Sequence, residues 1–431
     1  MFPLMLIYLA LVIIRPQDYP AVAESPGPPL QSLVLLAAAG MWIFSARKSL
    51  AAPQYLLIAA FLLVAMFSQV VNGWFGGSLF VFSAFAPTVL AYVLLANAVD
   101  TRARLETTMA VLTVCAGVLA LHGVEQASTG IGWTGVELSQ GTRIQYVGIF
   151  NDPNDLGLLF VMCLPMAFYL SGRGGLMGLR RLFWLAVAGL LLWGCYLTNS
   201  RGTLLAALAL LAVYVWRKRG LLAAGILGSV ALTGLMMLPS RLQEMDVSEE
   251  SAMGRVESWY EGVQMFRQNP LFGVGAGNYT DYNPLTAHNS FVLVLAELGI
   301  IGFTVWLAIV GYSFRMTLAP LRRGDDIIED VPPEVPDDVA LAHWRSDRAL
   351  TFCLLLSLCG FFTAAFFLSR SYVVILYLLV ALVVGNYTRL RRQYPSLPAF
   401  SLDQDLLRWP IYGVVGAVGL YVVVKVLLAM A

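Results

Sequence analysis

The sequence predicts an all-α protein that crosses a membrane many times. Hydrophobic residues make up 59% of the 431 residues and charged residues only 12%, which is about half the charged fraction of a typical soluble domain. Runs of about 20 apolar residues, the length that a helix needs to cross a bilayer, recur along the whole chain. These runs are continuously apolar rather than alternating, which argues against a membrane β-barrel.

We expect about 12–13 transmembrane helices, and the count depends on whether the first apolar run crosses the membrane fully. The predicted helices lie near residues 1–14, 30–46, 55–71, 78–99, 105–126, 156–171, 182–197, 203–216, 221–238, 290–314, 349–368, 372–388 and 411–430. The predicted organisation has N-terminal transmembrane helices at 1–238, a small helical loop domain at 239–289 and C-terminal transmembrane helices at 290–431, with an acidic cytoplasmic linker at 317–348.

Positive charge alternates between successive gaps in the apolar pattern. Every second gap holds most of the Lys and Arg residues, and the positive-inside rule assigns those gaps to the cytoplasm. The amino terminus is then cytoplasmic, and the remaining gaps lie on the outer face. Seven arginines fall in these outer gaps: Arg15, Arg143, Arg201, Arg241, Arg255, Arg267 and Arg370.

Arginines on the outer face are expected to bind an anion. Arg143, Arg201 and Arg255 come from three separate outer segments, so a fold could bring them together, and bidentate guanidinium contacts suit phosphate oxygens. Arg201 also opens a predicted helix, where backbone N–H groups attract anions. The other four are interpreted as membrane anchors or surface residues, or have no supporting motif: Arg15, Arg241, Arg267 and Arg370.

His288 lies at the outer mouth of a predicted membrane helix. The helix amino terminus and nearby arginines both disfavour the imidazolium, so the side chain should be neutral near pH 7. A neutral imidazole can accept a proton from a hydroxyl group, as a general base does. The alternative is that His288 and Asn289 only cap the helix. Upstream, apolar residues at helical spacing predict an amphipathic helix at 251–269 that Pro270 stops.

A polar motif, Asn151-Asp-Pro-Asn-Asp155, precedes another apolar run. Asn151, Asp152 and Asn154 have two interpretations: a turn with a helix cap, or direct contact with a substrate. The sequence contains no Walker A motif, Rossmann glycine pattern or HExxH motif, and its five cysteines lack metal-site spacing. We therefore predict no metal, no other cofactor and no nucleic-acid partner.

Five motifs occur in order along the chain. They are Gly148-Ile-Phe-Asn-Asp-Pro-Asn-Asp-Leu-Gly157, Thr198-Asn-Ser-Arg-Gly202, Gly254-Arg255 followed by Trp259, Asn269-Pro-Leu-Phe-Gly-Val-Gly-Ala-Gly277, and Ala287-His-Asn-Ser290 followed by Glu297-Leu-Gly299. Their order and common sidedness resemble the O-antigen ligase and O-antigen polymerase superfamily. The resemblance implies a C-type glycosyltransferase-like helical fold in the bacterial inner (cytoplasmic) membrane, a periplasmic active site, and a glycan donor carried on undecaprenyl diphosphate.

The resemblance also implies roles for individual residues. Arg201 and Arg255 match the arginines that bind the donor diphosphate, Arg143 resembles a further cation, and His288 matches the histidine that activates the acceptor hydroxyl. The implied reaction is an inverting, metal-independent glycosyl transfer to lipid A-core or a similar glycan acceptor. Two alternatives are a polymerase that joins lipid-linked repeat units and a polysaccharide flippase or transporter. The absence of internal repeats disfavours the transporter.

Overall fold

A computed structural model of the protein describes residues 1–24, 27–46, 48–173, 178–236 and 245–430. Within these residues the chain forms helices and no β-strand; two isolated β-bridges lie in the loop at 131–143. The all-α prediction is therefore confirmed. Arg241, which we interpreted as a surface residue, lies outside the described residues.

Sixteen α-helices follow one another along the described part of the chain. They are α1 (Phe2–Ile14), α2 (Pro20–Ala23), α3 (Leu30–Ile43), α4 (Pro53–Val71), α5 (Phe75–Ala98), α6 (Arg102–Thr129), α7 (Pro153–Ser171), α8 (Leu179–Leu197), α9 (Arg201–Arg219), α10 (Leu221–Met236), α11 (Met245–Gln268), α12 (Tyr279–Tyr282), α13 (Ser290–Arg322), α14 (Asp337–Ala365), α15 (Val374–Gln393) and α16 (Arg408–Met430). Helix α11 confirms the helix predicted at 251–269. Helices α13 and α14 extend into both ends of the predicted acidic linker.

The structure confirms a polytopic membrane protein. Nine helices within the described ranges are long and apolar enough to cross a membrane: α4, α5, α6, α7, α8, α13, α14, α15 and α16. The other predicted apolar runs form α1, α3, α9 and α10. Of these, α1, α3 and α10 are shorter than the nine, and α9 ends in three basic residues. Length and hydropathy thus select nine helices in the described part, where the sequence predicted twelve or thirteen.

The alternating gaps of the sequence correspond to two ends of the helix bundle. Helices α7, α9 and α13 begin at one end, after the N-cap residues Asp152, Ser200 and Asn289. At the other end, Arg102 and Arg389 both bind the buried carboxylate of Asp347, with N–O distances of 2.6 and 2.7 Å. We call these the His288 end and the Arg389 end. Five of the arginines predicted to share the outer side lie at the His288 end: Arg15, Arg143, Arg201, Arg255 and Arg370.

Helix α13 is broken near the His288 end by a non-helical glycine. Gly299 has φ 61° and ψ −163°, a conformation that is essentially restricted to glycine. Backbone groups freed by such a break must find partners inside a membrane protein. The loop at 270–275 supplies them: Val274 N–H bonds Ala296 O (3.0 Å), Gly275 N–H bonds Glu297 O (3.0 Å), Ile300 N–H bonds Pro270 O (2.8 Å) and Ile301 N–H bonds Leu271 O (3.3 Å).

Polar residues at the end of α4 hold the same loop from its other side. The Gln69 side chain donates to the Ala276 carbonyl (2.6 Å), and the Ala276 N–H donates to Ser68 Oγ (3.0 Å). The Asn72 side chain donates to the Gly273 carbonyl (3.1 Å). The glycine-rich loop is therefore fixed between α4 and the break in α13, and the chain that follows it leads directly to His288.

The N-terminal segment also packs at the His288 end. Arg15 and Asp18 form an ion pair, and a Cβ atom at Gly148 would overlap both side chains. The hydroxyl groups of Tyr19 and Tyr146 lie 2.8 Å apart. Arg15, which we interpreted as a membrane anchor, is therefore engaged inside the protein, where it supports the loop that precedes α7.

Candidate active site

Asp152 and Asn154 organise the start of α7. Asp152 is the N-cap, and its Oδ1 accepts a hydrogen bond from the Asn154 N–H (2.7 Å). The Asn154 side-chain oxygen accepts from Arg143 (3.0 Å) and from the hydroxyl of Ser200 (2.6 Å). Arg143 also donates to the Thr198 carbonyl (3.1 Å). The structure confirms the helix cap, and it places Arg143 and Asn154 where they join α7 to the beginning of α9.

Arg201 is the first residue of α9. The preceding residue, Ser200, is the N-cap, and its hydroxyl oxygen accepts from the Thr203 N–H (3.2 Å). Asn199 adopts a left-handed conformation, with φ 51°, so the chain turns sharply before the helix. The Arg201 side chain is exposed at the His288 end, beside backbone N–H groups that favour anions.

Arg255, on α11, lies near Arg201. Its side chain is half-buried. Burial lowers the pKa of Arg255, the charge of Arg201 lowers it further, and the carboxylate of Asp152 opposes the shift. Among the described side chains, no carboxylate lies within ion-pair distance of Arg201 or Arg255. Arg255 therefore lies partly desolvated within range of a second cation, in a position where a bound anion would stabilise both guanidinium groups.

His288 lies within electrostatic range of Arg255 and of a third arginine, Arg370. The residue is left-handed, with φ 45°. Burial lowers the pKa of His288, the charges of Arg255 and Arg370 lower it further, and Asp152 partly offsets them. The structure thus agrees with the neutral imidazole that we predicted, although burial contributes more than the arginines. The three charged groups that act on His288 come from the N-cap of α7, from α11 and from the segment between α14 and α15.

Asn289, rather than His288, caps α13. The side-chain oxygen of Asn289 accepts from the N–H groups of Phe291 (2.8 Å) and Val292 (3.1 Å). His288 takes no part in these hydrogen bonds, so the interpretation in which both residues only cap the helix does not hold for His288. The His288 ring is left available for another role.

The role of Arg370 was not predicted from the sequence. Its guanidinium binds both carboxylate oxygens of Asp155, which is nearly buried in the first turn of α7. Burial lowers the pKa of Arg370, but Asp155 more than compensates and raises it above the ordinary value. The Arg370 N–H also donates to Ser290 Oγ (2.9 Å), which fixes the segment against the start of α13. The sequence places Asp155 and Arg370 in outer gaps, but nothing in it predicts that the two residues pair.

A cavity of about 420 Å³ opens beside this ion pair. It lies between the loop that precedes α7 and the segment that precedes α15. Its lining residues are Gly148, Ile149, Asn151, Asp152, Asp155, Ser369, Arg370, Tyr372 and Val373. Of the predicted substrate contacts, Asn151 and Asp152 therefore line a cavity, and Asn154 is engaged in the bonds between helices.

No group of three or more His, Cys, Asp or Glu side chains in the described ranges could hold a metal ion. The five cysteines are free, and four of them are buried among apolar residues. The chemistry available at the site is that of guanidinium, imidazole, carboxylate and amide groups.

The fold and the site together define a multi-pass helical membrane protein whose cations and one histidine gather where helices begin. Residues 186–307 match the family model described as Wzy_C, O-antigen ligase. No curated protein matches the chain. The match confirms the resemblance to the O-antigen ligase superfamily over the segment that contains Arg201, Arg255 and His288. It supports glycosyl transfer of the O-antigen ligase or polymerase type, with lipid-linked glycans as the general substrate class.

Proposed function

We propose that the protein is an O-antigen ligase, which transfers a glycan from undecaprenyl diphosphate to a hydroxyl group of lipid A-core or a similar acceptor. The observation that carries the proposal is the convergence of Arg201, Arg255 and His288 from three separate segments. The two arginines have no carboxylate partner within ion-pair distance among the described residues. A diphosphate, with several oxygens and more than one negative charge, would satisfy both guanidinium groups.

In the proposed reaction, the acceptor oxygen forms a bond with the anomeric carbon of the donor glycan while the bond from that carbon to the diphosphate oxygen breaks. His288 takes the proton of the acceptor hydroxyl, and the departing undecaprenyl diphosphate takes the electron pair. Arg201 and Arg255 stabilise the negative charge that grows on the leaving oxygen. Direct displacement inverts the anomeric configuration. The cations replace a metal ion in this scheme.

The proposed location is the bacterial inner membrane, with the His288 end facing the periplasm. The support is the alternation of positive charge, since the more cationic gaps all belong to the Arg389 end. A cysteine introduced at an exposed position of the His288 end, such as Ser128, should react with a membrane-impermeant maleimide in intact spheroplasts. A cysteine at exposed Glu329, near the Arg389 end, should not react until the membrane is opened.

The enzymatic proposal is tested with the purified protein, a purified undecaprenyl-diphosphate-linked glycan and lipid A-core. We expect transfer in the presence of EDTA. Arg201→Ala should lower the rate by about 100-fold or more, because one preorganised donor of charge stabilisation is lost. Arg345→Ala is the matched control, since Arg345 is an exposed arginine of the Arg389 end. Equal rates for the two variants would contradict the assignment of Arg201.

The same assay separates a ligase from a polymerase. A ligase gives glycan attached to lipid A-core, whereas a polymerase gives longer chains that remain on the lipid carrier. In cells, loss of a ligase leaves bare core with polymer on the carrier, and loss of a polymerase leaves core with a single repeat. If the purified protein lengthens carrier-linked chains and does not glycosylate core, the ligase proposal is wrong.

A further inference from the structure

The cavity beside Arg370 has no role in the reaction described so far. We propose that it is the binding site for the acceptor's terminal sugar, the residue whose hydroxyl group attacks the donor. This inference rests on the proposed glycosyl transfer and deepens it, because it names the class of ligand and the residues that would bind it. The support has three parts: the position of the cavity relative to His288, the charge of its walls, and the free polar group in its lining.

The first part is position. Three charged side chains act on His288, namely Arg255, Asp152 and Arg370. Arg255 in turn is influenced by Arg201, whereas Arg370 is bound to Asp155 in the cavity wall. The cavity adjoins His288, because Thr286 donates to Ser369 Oγ (2.9 Å) and the Arg370 N–H donates to Ser290 Oγ (2.9 Å), which bonds two lining residues of the cavity to the chain on either side of His288.

An inverting displacement requires the acceptor to lie next to the general base. The attacking oxygen approaches the anomeric carbon from the face opposite the leaving diphosphate. The general base must reach the attacking hydroxyl within about 3 Å. With the diphosphate on Arg201 and Arg255, the acceptor hydroxyl is expected next to His288, and the cavity adjoins His288 through Ser369 and Arg370.

The second part is charge. In the cavity, Arg370 is bonded through two nitrogens to both oxygens of Asp155, so its charge is balanced by a carboxylate. A phosphate would have to displace that carboxylate, whereas a neutral sugar would not. Carboxylate and guanidinium groups together offer acceptors and donors to hydroxyl groups. The cavity volume of about 420 Å³ lies in the range of about 300–1,000 Å³ that is typical of small-molecule sites.

The third part is Asn151. Its side chain is exposed and lines the cavity, and it makes no hydrogen bond to any other described residue. Its neighbours Asp152 and Asn154 are both engaged in the helix start. An amide that can donate and accept, held on a well-supported loop, suits the vicinal hydroxyl groups of a pyranose.

The test uses the full-length protein in lipid nanodiscs and the variant Asn151→Ala. The Asn151 side chain is exposed and makes no hydrogen bond within the described residues, so its removal should leave folding unchanged. Gln268→Ala is the matched control, since Gln268 is an exposed amide at the end of α11, outside the cavity lining. The probes are fluorescent oligosaccharides released by mild acid from the lipopolysaccharide of the source cells, and undecaprenyl diphosphate. Binding is measured by anisotropy and by competition, and transfer kinetics are measured with each substrate varied.

We expect Asn151→Ala to raise the oligosaccharide dissociation constant and the acceptor KM by about three- to tenfold, the loss of one or two hydrogen bonds. Binding of undecaprenyl diphosphate and the donor KM should not change. Arg201→Ala should instead weaken undecaprenyl diphosphate binding and raise the donor KM, and leave oligosaccharide binding and the acceptor KM unchanged. Oligosaccharide binding that is equal in the Asn151 and Gln268 variants would overturn the proposal, as would a selective loss of diphosphate binding in Asn151→Ala. Absence of transfer with Asn151-dependent oligosaccharide binding would refute the proposed reaction but support a sugar site.

Discussion

The two ends of the helix bundle differ in how their arginines are paired with carboxylates. At the Arg389 end, five arginines are balanced by buried or half-buried carboxylates: Arg102 and Arg389 by Asp347, Arg173 by Glu106, and Arg315 and Arg408 by Asp405. At the His288 end, Arg15 is balanced by Asp18 and Arg370 by Asp155, but Arg201 and Arg255 have no carboxylate at ion-pair distance among the described side chains.

This difference separates cations that hold the fold from cations that are free to bind. Asp347 is fully buried, and desolvating its charge is costly unless oppositely charged partners are close. The arginines around it complete the structure. Arg255, by contrast, is half-buried, and burial together with the charge of Arg201 lowers its pKa although Asp152 opposes the shift, so its charge costs stability in the free protein. Such a cost is expected at a ligand site rather than at a structural contact.

The largest effect expected from this comparison is on catalysis, through His288. His288→Asn should lower the transfer rate by about 100- to 10,000-fold, because the general base is lost. Asparagine tolerates the left-handed backbone that His288 adopts, so the helix start should be preserved, and His288→Ala should lose activity to the same degree. Membrane levels, measured with a fluorescent fusion, should equal those of the wild type.

His343→Ala is the control for that variant, since His343 is exposed at the Arg389 end. It should retain full activity. If His288→Asn transferred glycan at nearly the wild-type rate, His288 would not be the base.

The next largest effect concerns stability at the opposite end. Asp347→Asn leaves Arg102 and Arg389 without their shared counter-charge, and removing one partner of a buried ion pair typically costs about 3–5 kcal/mol. The thermal midpoint of the detergent-solubilised protein should fall markedly. Arg201→Ala should leave the midpoint unchanged or raise it, because the substitution removes repulsion from Arg255. Equal destabilisation by both substitutions would remove the distinction between the two ends.

A smaller loss of stability is expected at the break in α13. Gly299→Ala forces a side chain into a conformation essentially restricted to glycine, at a cost of about 1–3 kcal/mol, and the new Cβ would overlap the Leu271 backbone. Gly189→Ala, in α8 with open space around it, is the control and should be neutral or slightly stabilising. Thermal midpoints of the two variants give the comparison. A midpoint for Gly299→Ala as high as that of Gly189→Ala would contradict the prediction.

Much of the fold was visible in the sequence because membrane helices have a simple physical requirement. Every apolar run predicted from length and composition coincides with a helix over its described residues. Five of the arginines predicted to share the outer side lie together at the His288 end: Arg15, Arg143, Arg201, Arg255 and Arg370. The helix starts at Arg201 and Ser290 followed from N-cap residues. These features depend on residues close together in the chain.

The remaining features depend on contacts between distant segments. The pair of Asp155 and Arg370 joins residues 215 positions apart, and neither lies in a motif that specifies the other. Ser68, Gln69 and Asn72 look like polar interruptions at the end of an apolar run, and only the fold shows that they hold the glycine-rich loop. The role of burial in lowering the pKa of His288 was missed for the same reason, since it depends on how the surrounding segments pack.

The smallest effect expected is a shift in the pH profile produced by Asp152. The carboxylate of Asp152 raises the pKa of His288, whereas Arg255 and Arg370 lower it. Removing the carboxylate should therefore lower that pKa further, so that the imidazole stays neutral to a lower pH. As a general base is inactive when protonated, the acidic limb of the kcat/KM profile should move to lower pH in Asp152→Asn.

The substitution is well suited to this test because asparagine is also a favourable N-cap, and its oxygen can still accept from the Asn154 N–H. Asp281→Asn, a change of the same charge at an exposed position, is the control and should leave the limb in place. If the acidic limb of the kcat/KM profile stays fixed or moves to higher pH in Asp152→Asn, the protonation of His288 does not control the rate. The direction of this shift thus tests whether the charges gathered at the His288 end act on the same proton.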